Sequence, residues 1–115
     1  MSVLITAHCA AHHSAAMFDT TKPVRLHGTV KELQWVNPHC FLQMLTATGD
    51  AFTEWSIELQ SPSTMYRLGW RPGTLLPGDK VTVVIAPTKD GMHGGTLMSA
   101  IDVNGKALQT AKVRQ

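Results

Sequence analysis

The stretch "VRLHGTVKELQWV", residues 24–36, decides the fold. Val24, Leu26, Gly28 and Val30 share one parity, and Arg25, His27, Thr29 and Lys31 share the other. That two-residue period is the mark of a strand with one face buried. After Lys31 the parity shifts, and Leu33 and Trp35 become the large apolar positions. Gly28 in mid-strand marks a bend or a bulge. A long, strongly coiled first strand has this signature.

Outward from it, "NPH" (37–39) reads as a turn, since Asn37 can bond its own backbone and Pro38 sets φ. "CFLQML" (40–45) is the second strand, "TATGD" (46–50) a turn, and "AFTEWSIEL" (51–59) the third strand of a hairpin. "SPSTMYRLGW" (61–70) changes period: Ser61 suits an N-cap, Pro62 the first helical turn and Gly69 the stop, which predicts one short helix. "RPGTLLPGD" (71–79) is a loop. "KVTVVIAP" (80–87) is a β-branched strand, "TKDGMHGG" (88–95) a glycine-rich turn and "TLMSAIDV" (96–103) the last full strand. "NG" (104–105) makes a tight turn, and the tail carries a short extra strand before it loosens.

This order predicts an all-β chain: a five-stranded OB-type antiparallel β-barrel with one short helix between strands 3 and 4. Another small barrel or sandwich with one helix is the alternative. The organisation is residues 1–11 as the remnant of an export signal, 12–22 as an N-terminal arm, 23–108 as the β-barrel domain and 109–115 as a loose tail.

Composition narrows the function classes. The chain of 115 residues is one domain's worth, and 43% hydrophobic content excludes a disordered chain. A net charge of +2 with scattered Lys and Arg argues against nucleic acid. No apolar run in the interior is long enough for stable membrane insertion. The lead "VLITAHCAA" is apolar and rich in small residues, and "CAA" fits a signal-peptidase site at Ala11. The expectation is therefore export to the periplasm. Cys40 is expected to be a buried small hydrophobe on a strand.

Cleavage gives "AHHS" (11–14) its interest. Neutral imidazole is the commonest protein ligand for zinc and copper. If the mature chain begins at His12, its α-amino nitrogen and ring nitrogen chelate one metal, and a third histidine completes a T-shaped copper site. If it begins at Ala11, His12 is second and His13 third, an order suited to square-planar Cu(II) or Ni(II). His39, at the end of the connection between the first two strands, is the best third ligand. The expected cofactor is copper, with zinc and nickel as alternatives. Asn37 would support a neighbouring ligand, and Trp35 and Trp55 would line the same mouth. The competing readings are a solvated histidine pair, an ordinary turn at 37–39, and tryptophans that simply fill a small barrel.

Glu54 and Glu58 share one parity of the third strand. They read as its solvent-facing polar side, with an acid/base pair or hard-metal ligands as the alternatives. His27 reads as a strand surface residue and His93 as part of an exposed turn. The methionines follow no Met-x-x-Met spacing, and no Gly-x-Ser-x-Gly, phosphate-binding loop, His-Glu-x-x-His or Cys-x-x-Cys occurs. The chain is therefore not expected to be an enzyme. A barrel that binds a peptide, glycan or unidentified periplasmic protein at its mouth, with no metal, is the second hypothesis.

"AHHSAAMFD", "GTVKELQWVNPH", "EWSIEL" with a following "SP", "GW" followed by "LLPGDKVTV", and "KDGMHGG" form a specific set. Together they resemble a bacterial family of small exported proteins classed as a domain of unknown function, over about Ala11 to Leu108. The resemblance implies export and a small β-barrel. It aligns the family's post-cleavage motif with His12, His13 and Ser14, and its second motif with Asn37, Pro38 and His39. It supplies no activity.

Overall fold

The computed structural model describes residues 15–110. Strand β1 is Val24–Gln34, β2 Phe41–Thr48, β3 Ala51–Glu58, β4 Lys80–Pro87, β5 Gly94–Ile101 and β6 Ala107–Leu108, with helix α1 at Pro62–Arg67. The sheet order is β3-β2-β1-β4-β5-β6, and a parallel pairing of β3 with β5 closes the first five strands into a mixed barrel. The helix lies between β3 and β4. This is the OB-type arrangement expected from the element order.

Closure depends on β1 serving two neighbours. Its first half, Val24 to Thr29, pairs with β4, and its second half, from Thr29 on, pairs with β2. The parity shift after Lys31 is a β-bulge, a register shift between Val30 and Glu32. Gly28 stands where the change of neighbour occurs. A Cβ built there would lie 2.2 Å from the Leu45 carbonyl oxygen and 3.0 Å from Met44 Cε. The backbone of β2 approaches β1 too closely for any side chain.

Several boundaries moved: β1 ends at Gln34 rather than Val36, β5 ends at Ile101 rather than Val103, and two larger changes concern β2 and the start of β5. β2 runs on to Thr48, since Thr46, Ala47 and Thr48 pair with Thr53, Phe52 and Ala51, and only Gly49 and Asp50 form the turn. β5 begins at Gly94 rather than Thr96. Gly94 and Gly95, read as turn residues, pair with Ser56 and Ile57, and Gly95 also pairs with Pro87. Their lack of side chains serves close strand approach: a Cβ on Gly95 would lie 2.4 Å from the Ala86 carbonyl oxygen.

The inward positions of the strands form the core, with Val30, Leu42, Met44, Ile57, Val83 and Ile85 at 2% exposure or less. The segment between β3 and β4 closes one end of the barrel with Met65, Trp70 and Leu75, all buried. Ser61 caps α1, its hydroxyl accepting from the Thr64 N–H at 3.3 Å, and Pro62 opens the helix. Ser61→Ala is expected to cost about 1 kcal/mol, the usual loss of a side-chain N-cap, read as a lowered midpoint in urea unfolding.

The arm and tail are partly pinned. Ala15–Met17 forms a 3-10 turn and Phe18 bridges to Thr88. The Lys89 N–H donates to the Met17 carbonyl, and the Asp19 N–H to that of Pro87. In the expected loose tail, Gln109 accepts from the Trp70 indole at 2.8 Å and the Thr110 hydroxyl donates to the Met98 carbonyl. The tail is therefore held at its first two residues, because a buried indole N–H needs an acceptor. The proposed cleavage site, Cys9, His12 and His13 lie outside the described residues. No helix among the described residues is long and apolar enough to cross a membrane.

Candidate metal half-site at the mouth of the barrel

His39 ends the connection between β1 and β2. The turn residue Asn37 is exposed, and the Asn37–Pro38 peptide is cis. Beyond it the Cys40 N–H donates to Gln60 and the Leu59 N–H to Cys40, at 2.9 Å each, so the β2–β3 pairing continues past the strand ends. Cys40 points inward and is fully buried, as expected for a small hydrophobe. Burial pushes its thiol above the ordinary range, which keeps it protonated and inert. His39, one residue earlier, takes the opposite parity and remains a third exposed.

Its partner is Glu58. The Nδ1 of His39 contacts Glu58 Oε1 directly. Phe41 pairs with Glu58 across the hairpin, so His39 is the diagonal neighbour of Glu58 on the same face. Glu58 is 7% exposed and is the one polar residue in the buried set of the described chain. It pairs with Thr96 of β5, whose hydroxyl donates to the Glu58 carbonyl, and it lines a small recess with Met65, Leu97 and Thr110. The two carboxylates of β3 thus part company. Glu54 faces solvent and pairs with Lys31 Nζ at 3.0 Å, a half-exposed contact of little energetic weight. Glu58, expected on the solvent side with it, is enclosed because β5 crosses β3 at that point.

This arrangement has a chemical consequence. A neutral imidazole with a carboxylate at Nδ1 carries its proton there, which leaves the lone pair on Nε2. The carboxylate also orients the ring. A carboxylate so placed is the arrangement found behind histidines that ligate through Nε2.

The other expected residues take separate places. Trp35 is partly buried and packs on the core. Trp55 donates its indole N–H to the Thr46 hydroxyl at 3.1 Å, and its ring lies 5.0 Å from that of His93. It is thus engaged with the turn between β4 and β5. That turn is shaped by Asp90, whose carboxylate accepts the Met92 N–H at 3.0 Å and is held below the usual carboxylate range by that bond. Trp70 is core, 1% exposed. Among the described residues no three of His, Cys, Asp and Glu stand together as a metal group. His39 and Glu58 are the one candidate pair at this position.

The contact of Glu58 with His39 has a signal in the sequence. A two-residue turn at Gly49–Asp50 sets Thr48 opposite Ala51 and hence Phe41 opposite Glu58. Counting the ladder back from that turn brings His39 to Glu58. A turn spread over residues 46–50 would lose that count.

Among known proteins, a family of unknown function (DUF6152) matches residues 2–99, which span the arm, the "NPH" turn and most of the barrel. No curated protein and no solved structure matches the chain.

Proposed function

The chain belongs to this family of unknown function, and from that premise we propose that it is a non-enzymatic periplasmic barrel that binds a transition metal. The metal is copper in the first instance, with zinc and nickel as the competing ions. The ligands are His12 and His13 from the processed arm and His39 from the barrel, and Glu58 orients His39. The observation that carries this reading is the His39–Glu58 pair. A carboxylate behind an imidazole is the usual companion of a ligating histidine.

Two further points support it. The bridge between Phe18 and Thr88 roots the arm beside Gly94, and Gly94 pairs with Ser56, one parity step along β3 from Glu58. His13 precedes Phe18 by five residues, three of them in the 3-10 turn, which leaves a reach of roughly 13 Å. A terminal amine beside an imidazole is also a strong nitrogen donor pair for Cu(II), and His39 Nε2 supplies a third nitrogen.

The experiment is a competition titration of the exported protein, its N-terminus established by intact mass, with Cu(II). One equivalent is expected to bind. His39→Ala is expected to weaken binding about a hundredfold or more, and Glu58→Gln by about tenfold to a hundredfold, as for removal of a carboxylate behind a ligand. Equal and weak uptake by the parent, His12→Ala and His39→Ala proteins would end the metal reading.

A further inference from the structure

A groove lies at the other end of the β2–β3 hairpin, away from His39. It has a volume of about 400 Å³ and opens on the outer face of the barrel, where β1 leaves β4 for β2 at Gly28. One wall is apolar, formed by Leu45 and Ala47 of β2 and Phe52 of β3. The other wall, from β1 and β4, is polar and cationic. His27 pairs with Thr82 across the strands, and Thr29 with Lys80. These side chains are ordered by mutual hydrogen bonds: Lys80 Nζ donates to the Thr29 hydroxyl at 2.8 Å, and His27 Nδ1 bonds the Thr82 hydroxyl at 2.9 Å.

One acidic residue, Asp102, stands at the rim. Asp102 Oδ1 accepts the backbone N–H groups of Asn104 and Lys106, at 2.9 Å each, and holds the turn after β5. The Lys80 ammonium has three protons, one of which goes to Thr29, and His27 has Nε2 remaining beyond its bond to Thr82. Opposite them Phe52, 72% exposed, lines the apolar wall and offers an aromatic surface on which a ring can stack.

We propose that this groove binds a small aromatic carboxylate. The carboxylate takes the Lys80 ammonium and the His27 edge, and the ring lies between Phe52 and Leu45. The volume falls within the range of small-molecule sites. A cationic wall facing an apolar wall selects a ligand with both characters, and rejects both a neutral arene and a free inorganic anion. The site needs no metal and stands independently of His39.

The test is a titration of the isotopically labelled full chain with 2-naphthoate, followed by amide chemical shifts, with 2-naphthylmethanol as the neutral counterpart. Saturable shifts are expected at residues 27–29, 45–52 and 80–82. The alcohol is expected to bind at least about tenfold more weakly. Lys80→Met should weaken naphthoate binding about fivefold or more and Lys80→Arg less than about twofold, since the charge is retained. Phe52→Ser should weaken it about threefold or more. Lys80 and Phe52 face solvent, so their variants keep the barrel; Thr82→Val provides an independent route to the same loss by freeing the His27 ring. Absent or non-saturating shifts, shifts scattered over the surface, equal binding of the alcohol, or indifference to Lys80→Met would each overturn the proposal.

Discussion

Gly28→Ala is expected to destabilise the protein by about 3 kcal/mol, at the severe end for overpacking a closed core. The added Cβ would meet the Leu45 carbonyl oxygen at 2.2 Å, and the obstacle is backbone rather than a movable side chain. β2 cannot retreat without stretching the ladder from Thr29–Leu45 onward, and β1 cannot retreat without loosening its pairing with β4. The contrast is Gly73→Ala in the exposed loop, where a Cβ would meet nothing within 4 Å. That change should stay within about 0.5 kcal/mol. Urea unfolding is the measurement. A loss of 3 kcal/mol corresponds to a fall in midpoint of roughly 1–3 M at the slopes usual for small domains. Equal midpoints for the two variants would show that β1 and β2 part more easily than the packing implies. The same variant should distort the outer groove, since that groove lies in the bend at Gly28.

Trp70→Ala is expected to be the most damaging truncation, at about 3–5 kcal/mol. Trp70 is the largest of the fully buried side chains, at 1% exposure, and closes the barrel with Met65 and Leu75. Its loss leaves a cavity that six residues of α1 cannot collapse to fill, because the helix is held at one end by the Ser61 cap and at the other by Leu68 and Gly69 contacts. It also removes the 2.8 Å bond to Gln109 that secures the tail. Trp70→Phe separates the two contributions: it keeps most of the ring volume and loses the N–H, so its cost should be clearly smaller, about 1–2 kcal/mol. In thermal melts the alanine variant should fall on the order of 15–30 °C, given the sensitivity of a domain this size. A melting point for Trp70→Ala within a few degrees of the parent would mean that this end of the barrel is not part of the cooperative core.

Several of these features are legible in the chain of letters because they are local. The alternation in residues 24–36 reports a half-buried strand, and its slip after Lys31 is the bulge between Val30 and Glu32. Ser61, Pro62 and Gly69 delimit a short helix because capping and φ preferences act within one turn of chain. The β-branched run at 80–87 is β4 to the residue. Cys40 is buried, as a small apolar residue on an inward parity should be.

The site is less legible because it depends on register and crossing. His39 was identifiable from its turn. Glu58 looked like Glu54, two acids on one parity of one strand, and only position separates them. Glu54 reaches Lys31 in the open. Glu58 lies where β5 joins β3 in parallel, and that long-range pairing carries no local signature, so its enclosure and its contact with His39 are invisible in composition or spacing.

By itself, then, the sequence determined the elements of this protein: strand periods, one capped helix, a glycine where a strand must bend, and a histidine at the end of an Asn-Pro turn. These follow from backbone sterics and short-range hydrogen bonding. The tertiary structure alone decided which elements meet. Closure of β3 on β5 buries one carboxylate behind His39, and the change of neighbours along β1 sets an apolar wall against Lys80 and His27. Both are set by contacts between residues far apart in the chain, where geometry rather than residue type selects the partner.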